Sequence, residues 1–169
     1  KMVVYVNQVA YAEHIALVKG DIDNDQPVMV RMHALNVLDD VFGDATTGKA
    51  GELQKAMRMI ADEGRGVVVL IREPHRTALS ELIEARLSVH EGNGKKKPGA
   101  PGAKGGTKAS RAGGELRDYG VGAQILLDLG IKDMILLSNT KRTIIGLEGY
   151  ELSVTERRPI KDPETKEKS

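Results

Sequence analysis

A chain of 169 residues with 40% apolar side chains can bury one sizeable core and is short for two full domains. Its 25 basic and 24 acidic residues leave a formal net charge of +1, which excludes the global positive field behind nonspecific nucleic-acid binding. Cysteine is absent, which excludes disulfides and thiolate metal sites; one Phe, four Tyr and no Trp argue against a base-stacking platform. No apolar run approaches the ~20 residues that cross a bilayer and the first residues carry no signal-peptide pattern, so a cytoplasmic protein with no membrane partner is expected. Lys1 standing ahead of Met2 fits a piece of a longer protein.

Taken in order, Met2 to Val6 and His14 to Lys19 read as short strands, and a Gly-Asp-Ile-Asp-Asn-Asp turn closes the second. Pro27 opens a third, in which alternation places Val28, Val30 and Met32 on one face and Met29, Arg31 and His33 on the other. Arg31 and His33 side by side suit an anion, and His33 alone suits a metal, although a lone strand histidine more often serves hydrogen bonding. Asn36 to Lys49 reads as a loop whose Asp39, Asp40 and Asp44 offer oxygen ligands to magnesium; solvated turn acids, with Asp44 or Thr47 starting the next helix, are the commoner case. Leu53, Ala56, Met57, Ile60 and Ala61 form the apolar stripe of a helix that Gly64 stops.

Val67 to Ile71 is a continuous apolar strand of the kind buried on both faces, and it delivers Arg72 to Arg76 to its carboxyl end, where open sheets favour ligands. Thr77 to Val89 has an imperfect helical pattern that predicts a packing helix. Residues 91–114 change abruptly to Gly, Pro and Lys, with Lys95, Lys96, Lys97, Lys104, Lys108 and Arg111 against Glu91 alone. That composition predicts a flexible basic insertion, disordered over 92–113. A soluble linker accounts for it better than a nucleic-acid contact, so nucleic acid is not an expected partner.

Residues 115–150 read as helix, strand and helix. Val121, Ile125, Leu126 and Leu129 recur at helical spacing before Gly130, Met134 to Leu137 is a short strand, and Ser138-Asn139-Thr140 can cap a second helix. A strand that delivers polar residues onto a helix start suits a phosphate, although capping alone accounts for those residue types. Tyr150 to Glu156 alternates like a strand, and residues 159–169 form a charged tail expected to be disordered.

HIALVKGD at 14–21, PVMVRMHA at 27–34, LQKAMRMIADEGRGVVVLIR at 53–72, RDYGVGAQILLDLGI at 117–131, and LLSNTKR with GLEGY within 136–150 resemble GTP cyclohydrolase II. The resemblance implies an α+β fold, a mixed sheet with packed helices over residues 1–158. It also implies opening of the GTP imidazole ring at the start of riboflavin synthesis, with zinc held by three cysteines and magnesium at the phosphates. A homodimer, and fusion to a dihydroxybutanone phosphate synthase domain, are implied as well.

Against the family pattern, the three cysteine positions hold Asn36, Thr47 and Lys49, and the Gln after them is Glu52. The Gln-Glu-Gly-Arg loop becomes Glu73-Pro74-His75-Arg76, a tyrosine is replaced by Leu87, and the final lysine of the substrate turn at Ser138 to Thr143 is lost. The catalytic Asp-x-Arg becomes Glu115-Leu116-Arg117, whose acid and arginine survive as vestiges. The expectation is therefore a domain without zinc or ring-opening activity, whose Arg31, His33, Arg76 and Ser138 are remnants of a substrate site. The alternative is a nucleotide or phosphate binder, or a cyclohydrolase with zinc-independent chemistry, in which magnesium enters only with a bound nucleotide phosphate.

Overall fold

The structure is a computed structural model that describes residues 1–8, 12–23, 25–72, 78–90, 119–139 and 150–161. Its centre is one six-stranded mixed sheet of β1 (Met2–Asn7), β2 (Ala12–Lys19), β3 (Val28–Ala34), β4 (Gly66–Ile71), β5 (Asp133–Leu137) and β6 (Ser153–Arg158), in the spatial order β1-β2-β4-β3-β5-β6. The antiparallel pairs are β1 with β2 and β2 with β4. The parallel pairs are β3 with β4, β3 with β5 and β5 with β6. The strands follow from composition: β4 is Gly-Val-Val-Val-Leu-Ile and buried at every position, as a central strand covered on both faces must be. Mixed pairing with helices on the sheet is the α+β architecture expected from the sequence.

Among the described residues, two helices cover the two faces. Helix α2 (Glu52–Glu63) lays Leu53, Ala56 and Ile60 against Met29, Val68, Leu70 and Leu137. Helix α4 (residues 119–128) lays Ala123, Ile125 and Leu126 against Val28, Val30, Val67, Val69 and Ile71. The alternation along β3 thus sorts its residues between two separate cores, and Arg31 and His33 share the α2 face as expected. Gly64 and Gly130 take the left-handed conformation that ends α2 and α4, with φ of 83° and 77°. Gly122 lets α4 approach closely, since a Cβ there would stand 2.7 Å from the Met32 sulfur.

Some expectations change. The α2 stripe is narrower than predicted: Met57 is 41% exposed and Ala61 is exposed, while Met59 lies against the core instead. The 36–49 stretch is not a plain loop, because it contains the short helix α1 (Val37–Asp40) and a 3-10 turn (Ala45–Thr47), capped by the Asn36 and Asp44 side chains. Helix α3 (Ala78–His90) forms, but Leu79, Ile83 and Leu87 point outward at 51%, 40% and 55% exposure, so this stripe does not pack as predicted. Packing continues past Arg158, for Ile160 belongs to the α2-side core. The second helix expected after Ser138, the basic insertion and the end of the tail lie outside the described residues. Among the described residues no helix is long and apolar enough to cross a membrane.

Candidate functional site

The carboxyl ends of the parallel strands β3, β4 and β5 open toward one edge of the sheet, the usual ligand side of such a sheet. On β3 the pleat projects Arg31 and His33 together onto the α2 face, with His33 nearer that end. The Arg31 guanidinium donates to the Leu137 carbonyl at 3.1 Å and to Glu52 Oε2 at 3.0 Å, and its Nη2 lies 3.3 Å from His33 Nδ1. Because a guanidinium only donates, His33 Nδ1 accepts, and the proton on Nε2 is donated to the Asp40 carboxylate at 2.9 Å. Both ring nitrogens of His33 are thereby engaged, and its side chain is buried with that of Asp40. Burial lowers the Arg31 pKa from its ordinary value, opposed chiefly by the Glu52 charge.

Glu52 carries the network to β5. Its Oε1 accepts from Asn139 Nδ2 at 2.9 Å, while Asn139 Oδ1 accepts from the Ile160 backbone N–H at 2.8 Å. A carboxylate on one side and an N–H donor on the other fix the orientation of the Asn139 amide. On the opposite flank, Asn36 caps α1 by accepting from the Leu38 and Asp39 amides, and its own amide group donates to Asp39 Oδ2 at 2.9 Å. Thr47 donates its hydroxyl to Asp39 Oδ1 at 2.9 Å, and Arg86 Nη2 donates to the same oxygen at 2.7 Å. Arg86 Nε stands 2.6 Å from Asp44 Oδ2, an ionic contact outside hydrogen-bond geometry. Hydrogen bonds from Thr46, and then the Arg86 charge, hold the Asp44 carboxyl below the usual carboxylate range.

The structure therefore brings together Arg31 and His33 of the predicted site residues and gives both protein partners. Ser138 lies at the end of β5 on the same edge, and its backbone N–H donates to the Arg158 carbonyl at 3.0 Å. Arg76, Glu115 and Arg117 lie outside the described residues. Asp39, Asp40 and Asp44, read as magnesium candidates, face Arg86 with Asn36 and Thr47, His33, and Arg86 with Thr46 respectively; among the described residues no three acids or histidines form a metal-binding group. Sequence reasoning missed Glu52 as the partner of Arg31, Asn139 as a bridge and Arg86 altogether. The only signal for Arg86 is a charged residue in a helix whose apolar pattern is imperfect.

A sequence profile described as GTP cyclohydrolase II matches residues 1–159. The chain is 39% identical over 170 residues to a riboflavin biosynthesis protein RibBA of Bacillus cytotoxicus, covering 96% of this chain and 39% of that protein. It is 41% identical over 172 residues to a RibBA of Bacillus mycoides, covering 98% of this chain and 40% of that protein. The chain thus spans about two fifths of the length of these relatives. A match over nearly every described element, together with a mixed sheet whose parallel strand ends carry Arg31 and His33, leads to one assignment: the chain belongs to the GTP cyclohydrolase II family.

Proposed function

We propose that this domain has lost zinc-dependent opening of the GTP ring and serves as a structural, dimerising or regulatory half beside a dihydroxybutanone phosphate synthase domain in a longer riboflavin biosynthesis protein. The observation that carries the reading is the hydrogen bonding at positions 36 and 47, where the family has cysteines. Asn36 gives its carbonyl to the start of α1 and its amide to Asp39, and Thr47 gives its hydroxyl to Asp39. Lys49, at the third position, is an exposed cation. An amide and a hydroxyl that both donate to the Asp39 carboxylate, plus a lysine, do not fit a centre that needs soft thiolates. Zinc would supply a hydroxide near neutral pH for attack on the ring carbon, which a carboxylate and an arginine such as Glu115 and Arg117 do not replace.

The test is elemental analysis of the purified protein together with a formate-release assay on GTP. Less than a tenth of an equivalent of zinc and no formate are expected, on the order that adventitious metal allows. One equivalent of zinc, with turnover abolished by chelation, overturns the reading. Retention as a nucleotide or phosphate binder has less support, because an anion at Arg31 must displace the Glu52 carboxylate already bound there. Saturable binding of GTP, ATP and inorganic pyrophosphate that weakens as phosphates are removed favours that alternative.

A further inference from the structure

We propose that Arg86 is the resident cation of the 36–49 stretch: its guanidinium bridges Asp39 and Asp44 and so holds helix α3 to the segment that carries the family's metal positions. This rests on the reading that the zinc is lost.

The geometry is that of a built centre. Asp39 is a nearly fully buried carboxylate, 4% exposed, and a charge in that position requires compensation. Asn36 and Thr47 supply hydrogen bonds to it but no positive charge. The charge comes from Arg86, whose side chain is 17% exposed and whose Nη2 reaches Asp39 at 2.7 Å while Nε reaches Asp44 at 2.6 Å. Two carboxylates on different turns of the stretch are thus joined through one planar cation, a geometry that the guanidinium fork provides and a lysine ammonium does not.

The same contact explains how α3 is held. Leu79, Ile83 and Leu87 face outward, so apolar burial of that stripe does not attach the helix. Arg86 instead reaches across from α3 to α1 and the 3-10 turn, and the residues at two former cysteine positions or beside them point to the carboxylate that it neutralises. A guanidinium fixed to the chain therefore does what a metal ion does elsewhere in the family: it gathers the ends of this stretch around a positive centre.

The test is amide hydrogen exchange on the 169-residue chain and on Arg86→Met, Arg86→Lys and Arg86→Met/Asp39→Asn. In Arg86→Met the amides of residues 36–47 and 79–88 are expected to exchange at least about tenfold faster, as loss of a charge-assisted hydrogen bond implies, with β1 and β2 unchanged. Arg86→Lys is expected to be intermediate, and adding Asp39→Asn to Arg86→Met to restore part of the protection, because the unpaired carboxylate is gone. Unchanged exchange in Arg86→Met overturns the proposal. Should Arg86→Met not fold, Arg86→Lys decides: faster exchange confined to the two segments supports it, and faster exchange spread evenly through the sheet overturns it. Zinc content fails or holds independently: one equivalent of zinc in the parent refutes the loss of zinc, whereas exchange refutes the role of Arg86.

Discussion

Glu52→Gln isolates the charge on the α2 side of the site. The carboxylate lies 3.0 Å from the Arg31 guanidinium, with the two side chains only 15% and 13% exposed. The Asn139 contact to Oε1 survives in a glutamine, and Arg31 keeps the Leu137 carbonyl and His33 Nδ1, so the loss is that of one charge-assisted hydrogen bond. Such a bond contributes about 1.5–3 kcal/mol, against about 3–5 kcal/mol when one partner is removed from a fully buried pair. Glu52 also stands in the first turn of α2, where its charge adds a few tenths of a kcal/mol, roughly, by opposing the helix dipole. The sum is about 2 kcal/mol, and with a urea dependence of about 2 kcal/mol per molar the unfolding midpoint falls by ~1 M. Urea titration followed by circular dichroism measures it. A midpoint that moves by less than about 0.2 M, with the dependence unchanged, would show that the pair contributes no more than an exposed one and would refute the reasoning.

Ile60→Val and Ile125→Val each thin one of the two cores, and each is expected to cost about 0.5–1.5 kcal/mol; because the sheet separates them, the double variant should equal their sum within about 0.5 kcal/mol by urea unfolding. His14 is buried at 4% exposure, and burial, then the Arg72 charge, lowers its pKa. Its neutral form is favoured in the fold, so stability is present above the ordinary value of 6.5 and declines as pH falls below it; urea midpoints across pH should show that decline, smaller in His14→Gln. The Tyr5 hydroxyl is pushed up to about 12, first by burial and then by its hydrogen bond to Asp128, so stability should fall as pH rises above 10, and Tyr5→Phe should remove that fall in the same titration. Gly122→Ala places a methyl 2.7 Å from the movable Met32 sulfur and should cost about 1–3 kcal/mol, with Gly122→Val worse; an unchanged melting temperature for the valine variant would refute the close approach of α4.

Much of the fold was legible because periodicity is local. Alternation in Val28 to His33 separated the two faces of β3, and the unbroken apolar run at Val67 to Ile71 marked a strand covered on both sides. Strand order was not legible, since nothing local in β4 says that it lies between β2 and β3. At the site, the shared face of Arg31 and His33 could be read, but their partners could not. Glu52 and Asn139 lie far along the chain from Arg31, and Asn139 carries the same polar side chain whether it caps a helix or bridges two elements. Asp39 reads as a solvated turn acid until Arg86 is seen beside it, and no spacing rule links those two.

The place of β3 between β4 and β5 bears on how the chain assembles. Residues up to Ile71 already contain four neighbouring strands and α2, whereas the contact of Arg31 with Leu137 spans 106 positions. Closing that span costs chain entropy before β5 can pair with β3, whereas β5 and β6 pair over a short separation, so docking of β5 onto β3 is expected to be the slower event. The cost grows only logarithmically, so doubling the connecting stretch adds about 0.6 kcal/mol. Lengthening or shortening the Gly- and Lys-rich part of that connection should therefore leave equilibrium stability almost untouched while retuning the rate at which the second half of the sheet zips onto the first.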